Sequence, residues 1–224
     1  MINVCCVFYG EKYSSDYVQK LYNMVQRHLT VPHQFYCFTD HINLSNTVRG
    51  NIIYKDFPVK GFEGWWNKLQ LFHKDIGLKG VNLYFDLDVV ILKNIDCFAT
   101  YGDDNSFSIL KEFKQPTIIF NSSIMKWNNK TASFIWNEYD KNFGDYVLYN
   151  TDQHVITKLI MNSDILKLYP DEWTFSYKWF NRKKPRYLIS EQTFELDHNA
   201  NVAVFHGKPN PHESEQQWVK DNWK

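Results

Sequence analysis

Asn82-Leu83-Tyr84-Phe85-Asp86-Leu87-Asp88-Val89-Val90-Ile91-Leu92 places two carboxylates, one residue apart, where two apolar runs meet. A run this rich in aromatic and β-branched residues reads as a buried strand. Unpaired buried charge is expensive, so the strand is expected to end at Asp86, its carboxylates emerging at the carboxyl edge beside a neutralising cation. Alternation along an extended chain puts Asp86 and Asp88 on one face and Leu87 on the other. Two hard oxygen ligands on one face suit Mg²⁺ or Mn²⁺ better than zinc. Without a cation, the same pair reads as turn aspartates closing a strand.

The elements around this pair set where its chemistry can act. Ile2 to Tyr9 reads as a strand ending at Gly10. Ser14 or Ser15 offers a helix N-cap, and Tyr17, Val18, Leu21, Tyr22, Val25 and Leu29 recur at helical spacing. Phe35 to Phe38 forms the next strand, ending at Thr39-Asp40. This βαβ opening predicts a parallel sheet whose ligands bind beyond the carboxyl ends of the strands. Tyr9, Gly10, Tyr13, Thr39 and Asp40 stand at or just past those ends. The turn Gly61-Phe62-Glu63-Gly64 leads into a helix expected from about Trp65 to Asp75. Strands are expected at Phe107 to Leu110, Thr117 to Phe120, Ile124 to Trp127, Phe194 to Leu196 and Val202 to Phe205. Helices are expected at about Thr131 to Tyr139 and Asp152 to Met161, and the tail from Pro209 onward reads as polar.

The 224 residues are enough for one core, and no linker or repeat divides them, so one domain is expected over 1–224. Lys+Arg and Asp+Glu both number 25, which indicates no general attraction to nucleic acid or an anionic membrane. Cys5, Cys6, Cys37 and Cys97 lack metal-finger spacing and read as free thiols in a reducing compartment. A basic leader and a bilayer-length apolar run are both missing, so a soluble, cytoplasmic protein is expected. The segment Trp173 to Lys184, aromatic and basic, reads as an acceptor platform or a solvated loop, and Trp65-Trp66 pose the same choice.

The ordered set Trp66-Asn67-Lys68-Leu69, Tyr84-Phe85-Asp86-Leu87-Asp88, Phe120-Asn121-Ser122-Ser123, Thr151-Asp152-Gln153 and Phe205-His206-Gly207-Lys208-Pro209 resembles the GT-A glycosyltransferases of the DxD type, notably the glycogenin-like (family 8) group. The resemblance runs from Asn3 to about Pro209. It implies an α/β, Rossmann-like GT-A fold with a central mixed, mostly parallel sheet flanked by helices, a nucleotide-binding half over about 1–92 with base and ribose near Tyr9, Gly10, Tyr13, Thr39 and Asp40, and a donor-sugar and acceptor half over about 93–224. It also implies a nucleoside diphosphate sugar donor (a UDP-sugar favoured, a GDP-sugar possible), Mn²⁺ or Mg²⁺, and transfer to a hydroxyl of a glycan, protein or small molecule. Carried over residue by residue, Asp86-Leu87-Asp88 holds donor and metal. Asp88 is then the principal metal ligand, Asp86 the ribose and metal partner, and His206 the third protein ligand. Gly207 lets backbone approach a phosphate, and Lys208 brings an ammonium to the diphosphate, although one Gly is a short spacer between His206 and Lys208. Asn121, Asp152 and Gln153 read the donor sugar, with Gln153 nearer the anomeric centre in a retaining enzyme and Asp152 a base in an inverting one. Asp152 also fits a helix N-cap. Lys68 faces the nucleotide or is a solvated helix lysine.

Two rivals remain. Phe85-Asp86-Leu87-Asp88 also resembles the opening of haloacid-dehalogenase-type phosphatases, whose paired aspartates are nucleophile and acid/base. Val89-Val90 stands where that family has Gly-Thr, a βαβ unit precedes the motif, and Asp103-Asp104 arrives too soon for the late acidic pair. The other rival is a sugar-nucleotide or glycan-binding module without turnover.

Overall fold

The computed structural model describes residues 1–41, 44–114, 117–146, 148–149, 151–180, 184–185 and 199–224. The first apolar run forms β1 (Ile2–Phe8), and Tyr17, Val18, Leu21, Met24 and Val25 form the buried face of α1 (Asp16–His28). β2 (His33–Thr39) lies parallel to β1 with Cys6 opposite Cys37, and β3 (Ile52–Lys55) adds parallel outside it. After a 3₁₀ helix over Gly64–Phe72, β4 (Val81–Phe85) pairs parallel with the other side of β1. Strand addition thus reverses between β1 and β4, a switch point of the kind that binds ligands in open α/β sheets.

Beyond the aspartates, β5 (Val89–Ile91) leaves this sheet, and α2 (Asp96–Thr100) and β6 (Phe107–Lys111) follow. β7 (Phe120–Asn128) runs antiparallel between β4 and β6, and β8 (Leu166–Leu168) closes the edge parallel to β6. The result is a mixed, mostly parallel seven-stranded sheet ordered β3-β2-β1-β4-β7-β6-β8. β9 (Thr174–Ser176) and β12 (Val202–Val204) join β5 in a second, three-stranded sheet. The short strands β10 (Trp179–Phe180) and β11 (Lys184–Pro185) pair with each other. The remaining helices are α3 (Asn129–Ala132), α4 (Phe134–Lys141), α5 (Phe143–Tyr146), α6 (Asp152–Ile160) and α7 (Gln217–Asn222).

β1 shows how the core is divided. Val4, Cys6 and Phe8 join the apolar cluster that includes α1 and the second sheet, while Cys5 and Val7 join that of the 3₁₀ helix, α4 and α6. This is the two-residue period of a strand buried on both faces. The four cysteines are unpaired thiols. Among the described residues, no helix is long and apolar enough to cross a membrane.

Several expectations change. The segment expected as a helix from Trp65 to Asp75 is a 3₁₀ helix, with residues Asn67 to Phe72 all buried rather than one stripe of them. Gln70 donates to Asn67 Oδ1 across three residues (2.9 Å), the spacing that 3₁₀ winding aligns. Asn121-Ser122-Ser123 continues one long strand into Ile124 instead of separating two, because β6 pairs with Phe120 and Asn121 before a register break and with Met125 and Lys126 after it, while β4 pairs from Ile124 onward. Thr117 to Ile119 is outside any strand. The helix expected from Thr131 to Tyr139 is broken at Ser133. The polar tail contains α7, whose Trp218 packs against the core together with Trp223 just after it. Phe194 to Leu196 lies outside the described residues.

Candidate active site

A cavity of about 460 Å³ opens beyond the carboxyl ends of β1 and β4. Val7, Tyr9, Lys12 and Tyr13 line it from β1 and the loop after it, and Gly64, Trp65 and Lys68 from the 3₁₀ helix. Tyr84 and Asp86-Leu87-Asp88 line it from β4 and its turn, Asn121-Ser122-Ser123 from β7, and Thr151-Asp152-Gln153 from the start of α6. His206-Gly207 closes it after β12.

Main-chain pairing assembles these distant segments. Phe85 stands opposite Ile124, and Asp86 N–H donates to Ser123 O (2.8 Å), so the β4–β7 ladder sets the serines beside the first aspartate. The β5–β12 ladder pairs Val89 with Val204, and Phe205 N–H donates to Asp88 O (3.2 Å). Gly207 N–H then donates to Asp88 Oδ2 (3.2 Å), fixing His206-Gly207 against the second aspartate. His206 (φ 36°) and Gly207 (φ 94°) both occupy the left-handed region, which a non-glycine residue enters only under local constraint.

The two aspartates face different partners. The chain turns at Leu87-Asp88, so the alternation expected of an extended strand does not apply. Asp86 Oδ1 accepts from Tyr84 OH (2.6 Å) and pairs with the Lys68 ammonium at 2.9 Å. Lys68 is 7% exposed, not solvated, and also pairs with Asp152 Oδ2 (3.3 Å) and donates to Ser122 Oγ (3.1 Å). Burial alone would lower the Lys68 pKa, but the charges of Asp152 and Asp86 hold it above the ordinary lysine value. Burial likewise works to raise Asp86. Lys68, Tyr84 and Ser123 outweigh it and keep that carboxyl below the usual aspartate value.

Asp88 is 5% exposed, and its Oδ2 accepts from Tyr13 OH (3.0 Å) as well as from Gly207. Burial and then the charge of Asp86 raise its pKa above the ordinary value; Gly207, Lys12 and Tyr13 oppose this without reversing it. The His206 ring stacks on Phe113 (5.6 Å, 10°), and its Nε2 shares a 2.6 Å hydrogen bond with Ser176 Oγ. Burial and the Lys178 ammonium push the imidazole down to about 4, so it is neutral at physiological pH.

Around the donor-sugar candidates, Ser122 Oγ donates to Asp152 Oδ2 (2.8 Å). Gln153 Nε2 and Asn121 Nδ2 both donate to Glu112 Oε2, at 3.2 and 3.5 Å. Glu112 Oε1 is held by the backbone N–H of Phe113 (2.7 Å). Gly10, Thr39 and Asp40 gather beside the cavity without lining it: Gly10 N–H donates to Asp40 Oδ1 (3.2 Å), and Thr39 is buried. Lys208 is exposed and also lies outside the lining.

Glu112 and Lys12 sit in no motif and carried no signal in the sequence, while Ser176 and Lys178 fell within the aromatic and basic segment read as an acceptor platform or a solvated loop. Lys178 donates to His206 O at 3.0 Å, and a Cβ on Gly207 would stand 3.2 Å from its ammonium. Trp173, Phe175 and Tyr177 in the expected acceptor platform pack inward, Tyr177 stacking on Phe205 at 4.2 Å. Arg182 and Lys183 lie outside the described residues.

Among the described residues, no three His, Cys, Asp or Glu side chains are gathered closely enough to hold a metal ion. The donor chemistry still fits a divalent cation. Two carboxylates and a neutral imidazole border one cavity, and the ionised form of Asp88 is disfavoured until positive charge arrives.

No protein-family model and no curated protein matches this sequence. Two structures of galactosyltransferase LgtC are similar at TM-score 0.66, one an active-site mutant and one in complex with donor and acceptor sugar analogues. They share 14% and 15% identity, covering 98% and 99% of this chain and 93% and 96% of theirs. Glycosyltransferase GlyE of Streptococcus pneumoniae TIGR4 is similar at TM-score 0.68 and 14% identity, over 97% of this chain and 62% of GlyE. At such identities the likeness is one of fold: this chain has the GT-A glycosyltransferase fold.

Proposed function

We propose that this chain is a glycosyltransferase that moves a sugar from a nucleoside diphosphate sugar, a UDP-sugar before a GDP-sugar, to an acceptor hydroxyl with the help of Mn²⁺ or Mg²⁺. The observation that carries the reading is the meeting of Asp86, Asp88 and the His206-Gly207 turn at one cavity on the switch point of a GT-A sheet. Cleaving an anomeric C–O bond to a diphosphate builds negative charge on the departing oxygens, which preorganised positive groups stabilise. Asp88, Asp86 and His206 would hold a cation, which would supply that stabilisation as a Lewis acid.

The protein's own groups do the rest. Tyr13 is committed to Asp88 and stacks on Tyr17 (4.4 Å), which leaves Tyr9 as the aromatic wall for the base. Lys12, which lines the cavity, and Lys178, rather than Lys208 outside it, bring ammonium charge toward the Asp88 carboxylate. Asp152 has its Oδ2 engaged by Ser122 and Lys68, which suits orientation of the donor sugar better than proton abstraction. Gln153 directs its amide N–H to Glu112, so its carbonyl oxygen is the end available to the sugar. A thermal-shift panel of nucleoside diphosphates and their sugars, with and without Mn²⁺, tests the reading, since a ligand that binds only the folded state stabilises it. One base should give a Mn²⁺-dependent shift; no shift with any nucleotide would contradict the proposal.

Glu112 is expected to act as a positioning residue through Gln153 and Asn121. Glu112→Ala should lower kcat by roughly 10- to 100-fold with little change in the donor KM, because the reacting geometry loosens while nucleotide contacts persist. Glu112→Gln keeps an acceptor oxygen and should recover most of that loss. Equal losses in both variants would exclude the positioning role.

A second expectation concerns His206. His206→Ala should weaken Mn²⁺ affinity, measured by titration calorimetry, while Asp86 and Asp88 retain part of it; wild-type affinity would exclude His206 as a ligand.

A further inference from the structure

The 3₁₀ helix separates two cavities. Gly64 and Trp65 line the one described above, while Gly61, Phe62, Glu63 and Trp66 line a second of about 320 Å³, completed by Lys60, Tyr139 and Phe143. Its walls are aromatic. Trp66 lies nearly parallel to Tyr139 (6.3 Å, 19°), Phe62 packs beside Tyr139 (6.1 Å), and Phe143 meets Tyr139 edge-on (5.8 Å) while remaining half exposed. The rim is polar: Glu63 is exposed with no capping bond to the helix, and Lys60 pairs with Asp56 at the surface. Gly61 and Gly64 take left-handed φ values of 89° and 53°, and a Cβ on either would meet nothing within 4 Å. The loop between the cavities therefore adds no side chain at those two points, and open space adjoins both.

We propose that this second cavity is a saccharide subsite that holds the non-reacting end of a neutral oligosaccharide acceptor, whose reacting hydroxyl reaches the first cavity over Gly64. Pyranose C–H faces pack on aromatic rings, and charged groups at a rim satisfy outward hydroxyls, the combination of apolar wall and few polar groups found in small-ligand sites. Continuity with the donor cavity across a single turn selects this occupant over an unrelated partner. The inference rests on the transferase reading for the direction of the acceptor, but not for binding itself.

The test applies the full chain to an array of neutral oligosaccharides of hexoses and N-acetylhexosamines, beside Trp66→Leu and Phe143→Ser. Nucleotide-sugar thermal shifts are followed in parallel. The wild type should retain at least one oligosaccharide, and Trp66→Leu should weaken it about 10-fold, equivalent to ~1.4 kcal/mol. Phe143→Ser, at a half-exposed position, should weaken it about 3-fold, and both variants should keep the nucleotide shift. No retained glycan, or equal retention by both variants, would overturn the subsite. A change of oligomeric state in the variants with unchanged glycan retention would assign the cavity to a second copy instead. Glycan retention without any nucleotide shift would sink the transferase reading and leave the subsite standing.

Discussion

Asp88→Asn is expected to lower metal-dependent turnover by on the order of 10²- to 10³-fold or more, while leaving the ligand-free protein at least as stable as the wild type. The two halves of this result have one cause. Asp88 is buried beside Asp86, and its folded pKa lies above that of an unfolded aspartate. Ionised Asp88 therefore lowers stability once pH rises past the unfolded carboxylate range, and the wild type regains that stability as pH falls through the folded pKa. Asparagine has the same shape, can still accept from Tyr13 and Gly207, and carries no charge to desolvate. Melting temperature against pH should show the variant ahead near pH 7 and level with the wild type in acid. Added Mn²⁺ should reverse the order by stabilising only the wild type. Undiminished transfer by the variant would remove Asp88 from the metal site.

Lys68→Met is expected to cost about 3–5 kcal/mol of stability, the range for breaking a buried ion pair and leaving its partners uncompensated. Asp86, Asp152 and Ser122 all lose their shared partner, and activity should fall with them. The sign against pH follows from Asp86, whose folded pKa is depressed. Its stabilising contribution is present above about pH 4, the unfolded value, and fades as pH falls further. The gap between wild type and variant should therefore be widest at neutral pH and close in acid, as measured by urea unfolding. A solvated lysine would change stability by less than about 0.5 kcal/mol at any pH.

That contrast shows where the sequence was informative. The Tyr84 to Asp88 strand end was legible because a long apolar run cannot bury two bare carboxylates, and the βαβ opening because helical and strand periods alternate plainly. The lysine between them was not. Its burial depends on a 3₁₀ helix that brings it to Ser122, and Asn121-Ser122-Ser123 reads as a loop although β6 pairs on both sides of its register break there. His206 was found by its neighbours in sequence, but the bond of the adjoining Gly207 to the second aspartate depends on β5 and β12, each three residues long, too short to carry a periodic signal. Glu112 and Lys178 act across gaps of 41 and 28 residues, on Gln153 and His206, and no local pattern marks them. Trp218 and Trp223 joined the core from a tail whose composition reads as solvated.

The central claim is that this cavity breaks the bond between a sugar and a nucleoside diphosphate. The most direct measurement is nucleoside diphosphate release from a panel of UDP- and GDP-sugars with Mn²⁺, run beside p-nitrophenyl phosphate. One nucleotide sugar should be cleaved slowly to free sugar and diphosphate, faster with an oligosaccharide present, and the release should stop with EDTA while the aryl phosphate stays intact. Cleavage of the aryl phosphate with every nucleotide sugar untouched would contradict the account and turn Asp86 into the nucleophile of a phosphatase.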